Sequence, residues 1–126
     1  MNKWKYSVDQ DTSTAYVTAL SRVNADDVIE ILSELFENND PVNNTIWDLR
    51  NGGLSGIDPD GFKRIASVAD RYAPLRTNPK TTFVVNNKME ETYINLYIFY
   101  IRDEQRDITQ KGFTSVEDAE AWLGIK

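Results

Sequence analysis

Cysteine and histidine are both missing from this 126-residue chain. The first absence removes disulfides, thiolate nucleophiles and Cys-ligated metals together. The second removes Ser-His-Asp and Cys-His catalysis and His-ligated zinc or iron. Basic charge is scarce as well. Fourteen Lys and Arg against twenty Asp and Glu leave a net charge of −6. A phosphate polymer is held by Lys and Arg that displace its counterions, so no nucleic-acid partner is expected. No stretch approaches eighteen uninterrupted apolar residues, and Met1-Asn2-Lys3-Trp4-Lys5 lacks the apolar run of a signal peptide. These features lead us to expect a soluble, cytoplasmic protein that does not insert into membranes.

A chain of this length is expected to form one domain over residues 1–126, burying roughly two-thirds of its unfolded surface without staples. The stretch that organises it is Thr45-Ile46-Trp47-Asp48-Leu49-Arg50-Asn51-Gly52-Gly53-Leu54-Ser55-Gly56-Ile57-Asp58-Pro59-Asp60-Gly61. A β-branched and aromatic run ends in a glycine-rich turn, and an Asp-Pro pair then opens a helical pattern. Ligands and partners of open α/β sheets sit beyond the carboxyl ends of the strands. Asp48, Arg50, Gly52, Gly53, Ser55, Asp58 and Asp60 are therefore the candidates for an interaction loop.

Before that stretch, the alternating Trp4–Asp9 and the run from Ala15 to Arg22 predict an antiparallel hairpin whose first strand is an edge. Asn24 can cap a helix with Asp26 and Asp27 in its first turn and Val28, Ile29, Leu32, Leu35 and Phe36 as its apolar stripe. After it, Phe62, Ile65, Ala66, Ala69, Tyr72 and Ala73 form a second stripe. Lys63, Arg64, Ser67 and Arg71, with Arg76 and Lys80 nearby, read as a solvated basic face. Thr81–Val85 is a buried parallel strand, and Asp107 to Phe113 a weak last strand. Ser115-Val116-Glu117-Asp118 resembles a capping box ahead of a final helix that Gly124 closes. The order ββαβαβαβα implies right-handed crossovers onto one mixed, mostly parallel sheet.

Met89 to Arg102 is the ambiguous tract. Its residues suit a strand, but it is too long and too apolar to alternate. On a helix, its apolar side chains sweep about 200°, wider than one core contact needs. Tyr93, Ile94, Tyr97, Ile98, Phe99 and Ile101 are candidates for an apolar ligand or dimer surface, and three readings stay open: a fully buried helix, a self-association surface, or the wall of a pocket.

The glycine loop is neither a Walker loop nor a G-x-G-x-x-G, and reads as a turn rather than an anion cradle. The acidic pairs Asp58/Asp60, Glu90/Glu91 and Glu117/Asp118 each lie at a predicted helix start, where the dipole favours carboxylates without any metal. No metal or cofactor is expected.

The strand Thr45-Ile46-Trp47-Asp48-Leu49-Arg50, the run Tyr72-Ala73-Pro74-Leu75-Arg76 before Lys80–Val85, and the ending Gly112-Phe113-Thr114-Ser115-Val116-Glu117-Asp118-Ala119-Glu120-Ala121-Trp122-Leu123 resemble the SpoIIAA-like branch of the STAS domains, along nearly the whole chain. The resemblance implies a non-enzymatic regulatory or binding module. In the antagonist branch a strand Asp is followed by an Asp-Ser-Ser-Gly carrying the phosphorylated serine. Asp48 matches the strand Asp, and Asp58-Pro59-Asp60-Gly61 falls at the switch without its serines. The likeness of the SpoIIAA-like branch to CRAL-TRIO-type carriers implies a second reading, a carrier of a small hydrophobic ligand lined from Tyr93 to Ile101. A hydrolase comes third, since there is no Gly-x-Ser-x-Gly elbow.

Overall fold

The computed structural model describes residues 3–53, 56–103 and 107–126. Strand β1 (Trp4–Asp9) turns through Gln10–Ser13 into β2 (Thr14–Ala19), and the two pair antiparallel with Val8 opposite Ala15. Helix α1 (Ala25–Glu37), β3 (Asn44–Asp48), α2 (Pro59–Tyr72), a single 3-10 turn at Ala73–Leu75, β4 (Lys80–Val84), α3 (Lys88–Tyr100), β5 (Thr109–Phe113) and α4 (Val116–Leu123) follow. The strands lie in chain order, β1-β2-β3-β4-β5, with β1 at one edge. Pairing from β2 to β5 is parallel throughout, so Tyr16, Ile46 and Thr82 stand level across the sheet.

Strand alternation divides the core into two. Ala15, Val17, Ala19, Trp47, Leu49 and Val85 face α1, α2 and α3, where Val28, Leu32, Phe62, Ala66, Ile94 and Ile101 meet them. Ile46 and Val84 face the other way onto Ala119 and Leu123 of α4, with Tyr16, Phe113 and Trp122 around them. Three crossovers advancing in one direction leave their helices on one face. The eight-residue α4 covers part of the other. The chain is thus a mixed α/β sheet with an antiparallel start, as the element order implied.

Local chemistry places the helices. Asn24 accepts from the Asp27 N–H while Asp27 accepts from the Asn24 N–H, a reciprocal cap that starts α1. Asp58 accepts from the Gly61 N–H at 2.7 Å with Pro59 at the first helical position. Ser115 and Gly124 bound α4. The stripe of α1 differs by one residue from the periodic expectation: Ile31 is buried and Ile29 half-buried.

The tract from Lys88 to Tyr100 is a helix and no part of the sheet. The basic face does not form as a unit. Arg76 is buried, donating to the carbonyls of Val42, Asn43 and Lys80 at 3.0–3.1 Å. Lys80 lies over the Trp122 ring on the α4 side, and Arg64 pairs with Asp26. No helix among the described residues is long and apolar enough to cross a membrane.

Candidate functional site

The loop after β3 is built around one carboxylate. Asp48 Oδ1 accepts from the Arg50 backbone N–H at 3.2 Å and from Nε at 2.9 Å, and Oδ2 accepts from the second guanidinium nitrogen at 2.8 Å. Those guanidinium bonds hold the Asp48 carboxyl below the usual carboxylate range despite partial burial, and raise Arg50 in turn. The Arg50 carbonyl accepts from the Asn86 side chain at 3.0 Å, tying the end of β3 to the end of β4.

Gly52 and Gly53 both direct their N–H groups to the Leu49 carbonyl, at 3.2 and 2.8 Å. They form a turn and present nothing to an anion. A Cβ on Gly52 would collide with the Ser21 carbonyl, so the close approach to the β2–α1 loop requires glycine there. Ser55 lies outside the described residues. Asp58 is occupied as a cap, and Asp60 stands exposed in the first turn of α2. Among the described residues no three acidic side chains converge as a metal site would require.

Helix α3 presents the second set. Ile94 and Ile101 are 1 % and 5 % exposed. They belong to the core, which corrects their place as surface candidates. Gly112 of β5 explains it, because the missing side chain lets Ile94 descend onto the strand, and the Gly112 N–H donates to Asn95 Oδ1 at 3.1 Å. Tyr97 and Ile98 are half-buried. Full burial of the helix is excluded, since Met89, Tyr93, Leu96, Phe99 and Tyr100 are 47 to 77 % exposed.

The two candidate sets meet at one groove. Gly53, Ile57, Val85, Asn86, Met89, Glu90, Tyr93 and Tyr97 line an open depression of about 660 Å³ at the carboxyl ends of β3 and β4. Asp48 and Arg50 stay outside it, joined through Asn86. A second apolar groove of about 290 Å³ runs between the start of α2 and α3, lined by Pro59, Tyr93, Leu96, Tyr97 and Tyr100. Tyr97 stacks on Phe62 and shares a 3.3 Å hydroxyl contact with Tyr93. That contact, with desolvation and nearby Asp58, pushes the Tyr97 phenol up to about 12.

Between the sheet and α1–α3 lies an apolar cavity of about 60 Å³, bordered by Trp4, Leu32, Trp47, Phe62 and Ile101. Small-molecule sites occupy roughly 300–1,000 Å³, so the buried space is too small for a lipid-like ligand.

Met89, Leu96 and Tyr100 are surface residues outside the six candidates, although Leu96 and Tyr100 fall within the apolar arc that periodicity gives. With Tyr93 they recur at intervals of four, three and four, a spacing readable in the sequence once the opposite side of the helix is known to be buried.

The arrangement of one five-stranded sheet, three helices on one face and a closing helix on the other defines a SpoIIAA-like α/β fold. An uncharacterised protein of the DUF3478 family from Shewanella loihica PV-4, described as having a SpoIIAA-like fold, superposes with a TM-score of 0.65 at 10 % identity, over 98 % of this chain and 95 % of that one. At that identity the likeness is one of fold. No protein-family model and no curated protein matches the sequence.

Proposed function

We propose that this chain is a non-catalytic regulatory module that acts by binding a protein through the exposed face of α3 and the groove it shares with the loop after β3. The observation that carries this reading is the exposure of Met89, Tyr93, Leu96, Phe99 and Tyr100 on a single helix, while Leu20 and Leu75 are the other large exposed hydrophobics among the described residues and stand singly. Contiguous apolar surface of that kind marks contacts, and Tyr, Phe and Met are enriched at the centres of protein interfaces. The SpoIIAA-like fold supports the same reading. With Asp58-Pro59-Asp60-Gly61 at the helix start, regulation here does not use a phosphorylated serine at that turn.

The test is affinity capture from the native host with wild-type protein, Leu96→Glu, and Lys111→Glu, which lies on the α4 face of the sheet, opposite the face that α3 covers. Loss of the bound protein with Leu96→Glu and retention with Lys111→Glu is the expected result. The same bound proteins with all three would overturn the assignment of the surface.

A further inference from the structure

We propose that the occupant of the α3 face is a second copy of this chain, bound with the two α3 helices antiparallel. This rests on the binding-module reading and names its partner.

The spacing comes first. Met89, Tyr93, Leu96 and Tyr100 stand four, three and four residues apart on the solvent side of α3. That is the spacing of a seam at which one helix packs its knobs into another. Isolated exposed apolar residues are ordinary, but a seam of about three turns that no helix among the described residues covers is not.

The seam also complements itself. An interface between identical copies about a twofold axis brings residue i to j and j to i. An axis crossing α3 midway between Tyr93 and Leu96 sets Tyr93 opposite the partner's Leu96 and Met89 opposite the partner's Tyr100. Each large ring then meets a flexible aliphatic or thioether side chain, and sulfur on an aromatic ring is a favourable contact. The groove lined by Pro59, Tyr93, Leu96, Tyr97 and Tyr100 opens beside the same axis and receives the partner's Leu96.

Charge favours the antiparallel sense. The first turn of α3 carries Glu90 and Glu91 against the one cation Lys88, 3.5 Å from Glu91, and so remains acidic. Its last turn is flanked by Lys63, 4.9 Å over the Tyr100 ring, and by Arg102, 3.9 Å over the Phe99 ring. Antiparallel docking sets each acidic start beside the partner's basic end and opposes the helix dipoles, whereas a parallel arrangement aligns them.

The area suits a reversible association. The seam residues Met89, Tyr93, Leu96 and Tyr100, each about half exposed or more, offer on the order of 450 Å² per copy. Two copies bury roughly 900 Å² in total, the size of a weak, transient interface. A lipid surface fits less well, because an acidic chain of net charge −6 is repelled by anionic headgroups.

The test uses the full chain in sedimentation equilibrium from about 1 to about 100 μM, a range that resolves micromolar dissociation. The expected result is a concentration-dependent mass approaching twice 14.4 kDa. Leu96→Glu should stay monomeric with an unchanged far-ultraviolet spectrum, and Phe99→Glu, off the seam, should weaken association far less. Because the chain has no cysteine, Tyr93→Cys and Leu96→Cys proteins provide clean oxidative trapping. A mixture of the two should cross-link and each alone should not. Homotypic links from either alone, or a monomer at every concentration, overturn the proposal. A monomer that still captures a host protein through Leu96 removes the second copy and leaves the binding-module reading in place. A monomer that captures no protein but sediments with phosphatidylcholine vesicles removes both.

Discussion

Phe62 of α2 and Tyr97 of α3 stack with ring centroids 4.0 Å apart and planes 22° from parallel. The pair bridges two helices over the front of the sheet: Phe62 is anchored in the core, whereas Tyr97 is half-buried and reaches Tyr93 with its hydroxyl. Stacking of this kind contributes about 1 kcal/mol beyond the area buried. It also fixes the wall of both α3 grooves.

Phe62→Ala should therefore lower stability by about 3–4 kcal/mol, the usual cost of truncating a buried aromatic ring. Tyr97→Phe keeps the ring and should cost less than about 1 kcal/mol. Chemical denaturation measures both, and hydrogen exchange should show α3 amides losing protection in Phe62→Ala before those of α1.

Gly112 and Ile94 form a second coupled pair. A Cβ on Gly112 would collide with Ile94 Cγ2, which is buried and stiff at χ1. Gly112→Ala should cost about 1–3 kcal/mol by overpacking. In the double variant with Ile94→Ala the collision disappears. The two effects should then sum to less than their separate values by at least about 0.5 kcal/mol, which a double-mutant cycle reads directly.

Arg76 is a buried cation held by three backbone carbonyls and, among the described residues, no carboxylate, with its guanidinium over the Phe36 ring. Arg76→Met removes all three bonds and strands the Val42 carbonyl, for an expected loss of about 3 kcal/mol. Arg76→Lys should recover little, because a single ammonium cannot reproduce the planar fork that spans the start of β3 and β4. Thermal denaturation of the two variants checks the ranking.

Alkaline pH should destabilise the fold through Tyr16 and Tyr97. Burial first, and then the 2.7 Å bond that Tyr16 donates to Glu120, push the Tyr16 phenol up to about 12, and Tyr97 is raised to the same level. In the unfolded chain both ionise near 10. Their stabilisation is complete below that value and is lost as pH rises towards about 12, because the unfolded state releases protons that the folded state retains. Arg76 works in the opposite sense. Burial lowers it to about 10, so the unfolded state holds the extra proton over the same window. Two groups against one leave a net fall. Denaturant midpoints from pH 9 to 12 should decline, and Tyr16→Phe should flatten that decline.

The order of elements was legible because three of the four helices announce their own start. Asn24 with Asp27, Asp58 with Pro59, and Ser115 are local chemistry, complete within four residues. The strand order was not, since nothing in one strand names its neighbour. The orientation of α3 was hidden for a related reason. Isoleucine and tyrosine alternate around its girth, so periodicity gives a broad arc without a centre. The centre is chosen by Gly112, eighteen positions beyond Ile94, through a side chain that is not there. At the loop after β3, the turn and cap were readable, whereas the bidentate Asp48–Arg50 pair and the Asn86 tie to Arg50 are products of geometry.

Strands β2 to β5 run in one direction, so all four helices set out from the same rim of the sheet. Each brings its own acidic residues to that rim, Asp26 and Asp27, Asp60, Glu90 and Glu91, Glu117 and Asp118, and each closes its first amides with its own cap. The positive poles that elsewhere draw phosphate are thereby muted four times over. A nucleotide or phosphopeptide approaching that end would meet repulsion, whereas a lysine- or arginine-bearing visitor would be drawn in.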